Sequence, residues 1–208
     1  MPTSQQFWDR IASNYAAKPI RNVAAYEKTM ERTRLYLKKG DRLLELGCGS
    51  GSTALLLSGH VGHIWANDLS SRLVGIGRQK AKEQGVTNVD FIHGDISVAA
   101  IDEMAPYNCI CAFNFLHLLE DIPSALERIH GLLRPGGLLI SKTACLSGWH
   151  GLMRIPITVM QWLGKAPHVT FISATELEEA MKAQGFELLE SCTFPKAAEA
   201  QFIVARKL

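Results

Sequence analysis

The sequence predicts a doubly wound α/β fold: a mostly parallel seven-stranded sheet with helices on both faces, an antiparallel C-terminal hairpin strand and an N-terminal helical extension. Three observations carry this. The run Leu43-Leu44-Glu45-Leu46 stops at Gly47-Cys48-Gly49-Ser50-Gly51 and leads into the helical run Thr53-Ala54-Leu55-Leu56-Leu57, so a buried strand feeds a glycine loop and a helix. Apolar strand runs at 63–68, 88–93, 107–114 and 138–143 then alternate with helical stretches, the pattern of a parallel sheet. Finally, strand runs at 186–194 and 200–206 leave no room for a crossover helix between them and must pair antiparallel.

Composition supports one domain over residues 1–208. That length suits a single well-buried α/β core, and 47% hydrophobic with 20% charged residues is ordinary for a soluble protein. The net charge of +2 is too small for a nucleic-acid footprint, so no nucleic-acid partner is expected. Five cysteines cannot all pair, and none shows zinc-ligand spacing. No metal is expected. Cys109 and Cys111 alternate within an apolar run and read as small apolar side chains on one strand face. This usage fits a reduced, cytoplasmic chain. Residues 1–6 show neither the basic nor the apolar region of a signal peptide, and no stretch approaches the ~20 apolar residues of a membrane span. Stable membrane insertion is therefore not expected, and the chain reads as a monomer or homodimer.

Ahead of the first strand, Ser4 is the expected cap of a helix that presents Phe7, Trp8, Ile11 and Tyr15 on one broad face and ends at Pro19. A second helix is expected over 23–39, with Tyr26, Met30, Thr33 and Leu37 on one face and Gly40 after its end. Neither helix belongs to the alternating core.

The spacing of the glycine loop decides its ligand. A dinucleotide fingerprint reads G-x-G-x-x-G/A, whereas here Gly47, Gly49 and Gly51 alternate, Ser52 follows, and Glu45 stands two positions before the first glycine. Side chains at the three glycines would block a nucleotide-like ligand, and the next helix offers its N-terminal N–H groups. This E-x-G-x-G-x-G run resembles motif I of the class I S-adenosyl-L-methionine (SAM)-dependent methyltransferases. The resemblance covers about residues 41–208 and includes "LLRPGGLLI" before the fifth strand. It implies SAM as cofactor, a methyl-transfer activity, and a cradle of Glu45, Gly47, Cys48, Gly49, Gly51, Asp68, Leu69, Asp95, Ile96 and Asn114.

Each later element has its place in that scheme. Asp68 ends the second strand 21 positions after Gly47, where a ribose-binding carboxylate is expected; a helix cap is the other reading, and Ser70 fills that role. Gly75 and Gly77 lie inside the next helix, at a cost of up to about 1 kcal/mol each. Close contact with the sheet explains one of them. The resemblance places Asp95 beside an adenine, with Ile96 on its ring; Asp95 can also cap the segment 96–104. Asn114 and the residues after it line the ligand crevice at the carboxyl end of the fourth strand. In Leu116-His117-Leu118 the family's frequent paired histidine is half lost, Leu118 standing at the second position. Asp121 with Pro123 opens one helix, and Ser173 with Glu176 opens another through a capping box.

The chain thus divides into a helical lid (1–40), a SAM-binding core (41–144), an apolar insertion over the active site (145–172) and a C-terminal helix and hairpin (173–208). In the family, an N-terminal extension folds over the mouth, which makes Tyr15 and Tyr26 lid residues unless they merely pack the helices onto the sheet. The segment 152–163 reads as a lid over a greasy or aromatic small-molecule acceptor, as a dimer contact, or as a membrane-surface contact. SAM carries the activated methyl, so the protein mainly aligns the acceptor in a dry site by in-line geometry. A base is needed only for a protonated acceptor. His117 leads the candidates, followed by Tyr15, His150 and His168. The competing class is a catalytically silent SAM-binding module that acts through a protein partner.

Overall fold

The computed structural model describes residues 3–145, 158, 160, 161, 166–194 and 200–208. The apolar run before the glycine loop is strand β1 (Arg42–Leu46), buried over its last four residues. Leu44 and Leu46 enter one core cluster and Leu43 the other, so both faces of the strand are dry, as in a parallel sheet covered by helices. The remaining strands are β2 (His63–Asp68), β3 (Val89–His93), β4 (Tyr107–Phe113), β5 (Leu133–Ala144), β6 (Phe186–Thr193) and β7 (Ala200–Lys207). They form one sheet in the order β3-β2-β1-β4-β5-β7-β6. The first five run parallel, and β7 is antiparallel to both β5 and β6. The reversed strand therefore lies inside the sheet, with Phe202, Ile203, Val204 and Ala205 fully buried.

The helices described over their whole length are α1 (Ser4–Ala17), α2 (Val23–Arg34), α3 (Ser52–Leu57), α4 (Ser71–Glu83), α5 (Ala99–Glu103), α6 (Ile122–Leu132) and α7 (Ala174–Ala183). Ser70, Asp121 and the Ser173/Glu176 box cap α4, α6 and α7 as the sequence predicts. Three boundaries differ. Thr3 caps α1, because Gln6 stands three residues on and returns its side chain to the Thr3 N–H; Ser4 is the first helical residue. α2 stops at Arg34, five residues short of the expected end, where Leu35, Tyr36 and Leu37 turn back to the carbonyls of Arg32, Thr33 and Arg34. Leu35 is 67% exposed, so no apolar face draws the helix onward. β5 begins at Leu133, ahead of the expected 138, because Leu133 pairs with Tyr107 across a register shift.

The order reverses beside β1: β2 and β4 flank it, and their crossovers leave in opposite directions. Such a switch point opens a crevice at the carboxyl ends of these strands. The segment 152–163 and His150 fall almost entirely outside the described residues. Of that region, Ala166 N–H bonds the Met160 carbonyl at 3.2 Å, and Gln161 Nε2 donates to the Pro167 carbonyl at 2.9 Å. Among the described residues no helix is long and apolar enough to cross a membrane.

Candidate active site

The glycine loop is held by its own backbone. Cys48 N–H bonds the Asn67 carbonyl at 2.9 Å, and Gly51 N–H bonds the Cys48 carbonyl at 3.0 Å. Gly49 N–H donates to Asp68 Oδ2 at 2.8 Å. Two of these amides are spent on the end of β2 and one within the loop itself. Cys48 likewise turns its thiol into the core, where burial pushes its pKa well up. The three glycines have φ of +65°, +55° and +75°, a conformation that favours glycine. What they leave room for differs from the expectation. A Cβ at Gly47 would lie 2.5 Å from the Phe115 ring, and one at Gly51 would collide with Phe91. Only at Gly49 is the nearest atom at ordinary contact, 3.4 Å, on the Tyr15 ring. Two of the glycines therefore admit the protein's own rings.

Asp68 is 8% exposed and accepts one amide on each oxygen, Gly49 on Oδ2 and Ser70 on Oδ1, both at 2.8 Å. Each oxygen keeps a second acceptor site. The cap of α4 is Ser70, which accepts from Leu73 N–H at 3.2 Å, so Asp68 does not cap the helix. Burial raises the Asp68 pKa, while the Ser70 and Gly49 amides pull it back. Glu45 lies deeper, 3% exposed, and its Oε2 has no partner among the described residues. Burial, then the nearby Asp68 charge, lifts its pKa from 4.5 to about 8, against a hydrogen bond from the Ala54 backbone. None of the groups that shift Glu45 is a cation.

Both N-terminal tyrosines flank this loop. Tyr15 stands over Gly49 with its ring edge-on to Trp8, at 5.5 Å and 81°. Burial raises its phenol pKa, reinforced by the charges of Asp68 and Glu45. Tyr26 Oη lies 3.3 Å from Thr53 Oγ1 in the first turn of α3. Each helix is tied down nearby. Asp9 of α1 accepts from the Ser70 hydroxyl at 2.6 Å and from Arg72 N–H at 3.1 Å. On α2, Arg32 pairs with Glu190 of β6, and Thr29 accepts from Lys142 Nζ at 2.9 Å.

At the end of β4, Asn114 takes a left-handed conformation with φ +53°, and its N–H bonds the Lys142 carbonyl at 2.7 Å. A 3-10 turn, Leu116–Leu118, follows and carries His117. Nδ1 of His117 is buried without a partner among the described residues, and burial lowers the imidazole pKa to about 4. Thr170 closes over this turn: its N–H bonds the His117 carbonyl at 2.7 Å, and its hydroxyl donates to the Leu119 carbonyl at 2.6 Å. Beyond β3, Asp95 is exposed and accepts from Ser97 N–H at 2.8 Å, while Ile96 packs against the core. α5 starts only at Ala99, so Asp95 caps a turn rather than that helix. Leu69 is half-buried after Asp68. The structure thus brings Glu45, the loop, Asp68 and Tyr15 together, and sets His117 on the β4 side. Phe91, Phe115, Asp9 and Thr170 escaped the sequence reading. Only Phe115, next to Asn114 in the expected crevice, carried a signal.

The methyltransferase domain model matches residues 17–191. The chain belongs to the class I SAM-dependent methyltransferases. This methyltransferase is 26% identical over 155 residues to the ubiquinone biosynthesis O-methyltransferase of Xylella fastidiosa (strain 9a5c), covering 65% of this chain and 63% of that protein. It is 29% identical over 116 residues to the demethylmenaquinone methyltransferase of Geobacillus kaustophilus (strain HTA426), covering 54% and 47%. The chain therefore spans about half to two-thirds of the length of these curated relatives. In fold it resembles the magnesium protoporphyrin IX methyltransferase of Synechocystis PCC 6803, solved with bound SAH (TM-score 0.74, 16% identity, 98% of each chain). It also resembles the [4+2]-cyclase SpnF (TM-score 0.75, 21% identity, 99% of this chain and 97% of that one). One fold thus carries different reactions, and the chemistry has to be argued from the site.

Proposed function

We propose that this methyltransferase moves a methyl group from SAM to a small, apolar, hydroxylated aromatic acceptor of quinone type. The observation that carries the cofactor half is the pair of buried carboxyls, Asp68 and Glu45, beside the glycine loop. Asp68 retains acceptor sites for vicinal hydroxyls, as a ribose offers. Glu45 holds an orphaned oxygen where a cationic ligand would supply the missing partner. Both fit a ligand with a ribose and positively charged ammonium and sulfonium groups. Bound there, SAM supplies a methyl already activated on a sulfonium, whose C–S bonding pair stays on sulfur as the methyl leaves.

The remaining work belongs to the protein's own residues. Tyr15, on the face of Gly49, covers the cradle and keeps water out; its raised pKa keeps the phenol neutral and suits a wall better than a base. Asp95 and Ile96 extend the cradle past β3. On the acceptor side, a His117 imidazole lowered to about 4 stays neutral at pH 7. Such a group orients a hydroxyl through a hydrogen bond but holds a proton poorly. The quinone-type acceptor is supported by the names of the relatives and by the apolar insertion, which in this reading covers the acceptor while 1–40 covers the cofactor. Calorimetry with SAM, SAH and NAD tests the cofactor: SAM and SAH should bind and NAD should not. A methyl-transfer screen of phenols, quinols, thiols and amines tests the acceptor. Binding without turnover of any acceptor would favour the silent module.

A further inference from the structure

Thr170 has one hydroxyl hydrogen, and it is spent. Oγ1 gives it to the Leu119 carbonyl at 2.6 Å. The 3.0 Å contact between that same Oγ1 and Nε2 of His168 therefore needs its hydrogen on Nε2. A neutral imidazole with Nε2 protonated carries its bare lone pair on Nδ1. The backbone of Thr170 also bonds the His117 carbonyl, and Gln161 holds the Pro167 carbonyl from the other side. His168 is thus fixed in tautomer by a hydroxyl whose own orientation is fixed by a main-chain carbonyl. It sits two residues from a weld to the turn that follows β4, and it is half-buried. An imidazole oriented through one nitrogen, with the other unprotonated, is how a base is presented. Among the described residues, Nδ1 of His117 on that turn has no such partner.

We propose that His168 takes the proton from a ring hydroxyl of the acceptor, and that Thr170 is a positioning residue that holds His168 in the Nε2–H tautomer. This deepens the reading above and rests on it. The acceptor O–H bond breaks and an Nδ1–H bond forms, leaving His168 as an imidazolium. The electron pair left on oxygen forms the bond to the transferred methyl, and the imidazolium then returns its proton to water. The acceptor class is therefore an ionisable hydroxyl on an aromatic ring, and the product is a methyl ether.

The test uses the full chain with SAM and a panel of dihydroxybenzenes as methyl acceptors. Nitrogen-15 spectra of histidine-labelled protein report the tautomer without reference to turnover. Wild type should show His168 as Nε2–H. Thr170→Val should mix in the other tautomer and lower kcat with SAM affinity unchanged, and Thr170→Ser should restore both. His168→Gln keeps an amide donor for Thr170 but has no basic nitrogen; it should fold and bind SAM like wild type while kcat falls by roughly 10²-fold, the scale of general-base catalysis. Full turnover in His168→Gln, an unchanged tautomer in Thr170→Val, or methylation confined to thiols or amines would each overturn the proposal. A wild type that binds no SAM would instead remove the cofactor reading beneath it.

Discussion

Asp9 of α1 accepts the Ser70 hydroxyl at 2.6 Å, while Ser70 itself caps α4. One carboxylate from the N-terminal helix is thereby locked to the residue two positions after Asp68. Its pKa is held below the usual range, chiefly by that Ser70 bond.

Asp9→Ala should release α1 from the cradle. A hydrogen bond to a charged group contributes about 1.5–3 kcal/mol, less where partly solvated, so the docking of α1 should weaken by about 1 kcal/mol. Hydrogen exchange over residues 4–17 should quicken, and SAM should dissociate faster from an otherwise folded protein. Unchanged exchange and dissociation would show that α1 docks by its apolar face alone.

Asp68→Ala should do more than lose the ribose contacts proposed above. It also removes the acceptor for the Gly49 and Ser70 amides, leaving two N–H groups unpaired in a buried loop at about 1–3 kcal/mol each. Thermal unfolding should show a clear fall in Tm, and calorimetry should show SAM affinity falling further than that of Asp9→Ala. Wild-type Tm with lost SAM binding would mean the loop holds without its carboxylate.

Gly75 and Gly77 separate two meanings of glycine in a helix. A Cβ at Gly75 meets open space, so Gly75→Ala should stabilise α4 by about 0.5–1 kcal/mol. A Cβ at Gly77 would run into the Phe91 ring, and Gly77→Ala should destabilise by about 1–3 kcal/mol through overpacking. Denaturant midpoints measured side by side should move in opposite directions.

The pH dependence carries two opposed contributions. Glu45 has its pKa raised from 4.5 to about 8, so its contribution is complete below 4.5 and is lost as pH rises towards 8. Glu45→Gln should flatten that limb. His117 is lowered from 6.5 to about 4, so its contribution is present above 6.5 and is lost as pH falls towards 4. His117→Gln should flatten the acid limb instead. Stability against pH for the two variants checks both signs. SAM binding at pH 7 should also release up to one proton from wild type and none from Glu45→Gln, read from calorimetry in buffers of different ionisation heat.

The sheet was legible because its signals are local. Apolar runs ended by Gly47, Asp68 and Gly94, and a spacing between the last two strand runs too short for a crossover helix, leave little choice of topology. The meeting of Glu45, the glycines and Asp68 at one end of β1 and β2 was legible from their spacing alone. Gly77 also answered to its expected cause, while Gly75 still has none. What stayed hidden depends on tertiary neighbours. Nothing near Asp9 announces that it will meet Ser70 across 61 positions, nor near Thr170 that it will close on His117 and Leu119. The same holds for Phe91 and Phe115: any of the sequence's rings could have filled the space above the loop, and only the packed chain selects them. Ends of helices misled where exposure, as at Leu35, outweighed the apparent periodicity.

The position of β7 has a consequence for assembly. β6 meets the sheet only through β7, so the strand made earlier has no partner until the later one arrives. Until then β5 presents an open edge from Leu138 to Ala144, the length that β7 will cover. The growing chain thus carries an unsatisfied ladder until β7 is made, an edge that invites pairing between molecules. Completion of the sheet is a late, long-range event rather than a zipper running from the N-terminus. Misassembly of this protein should begin at β5, on the far side of β4 from the glycine loop.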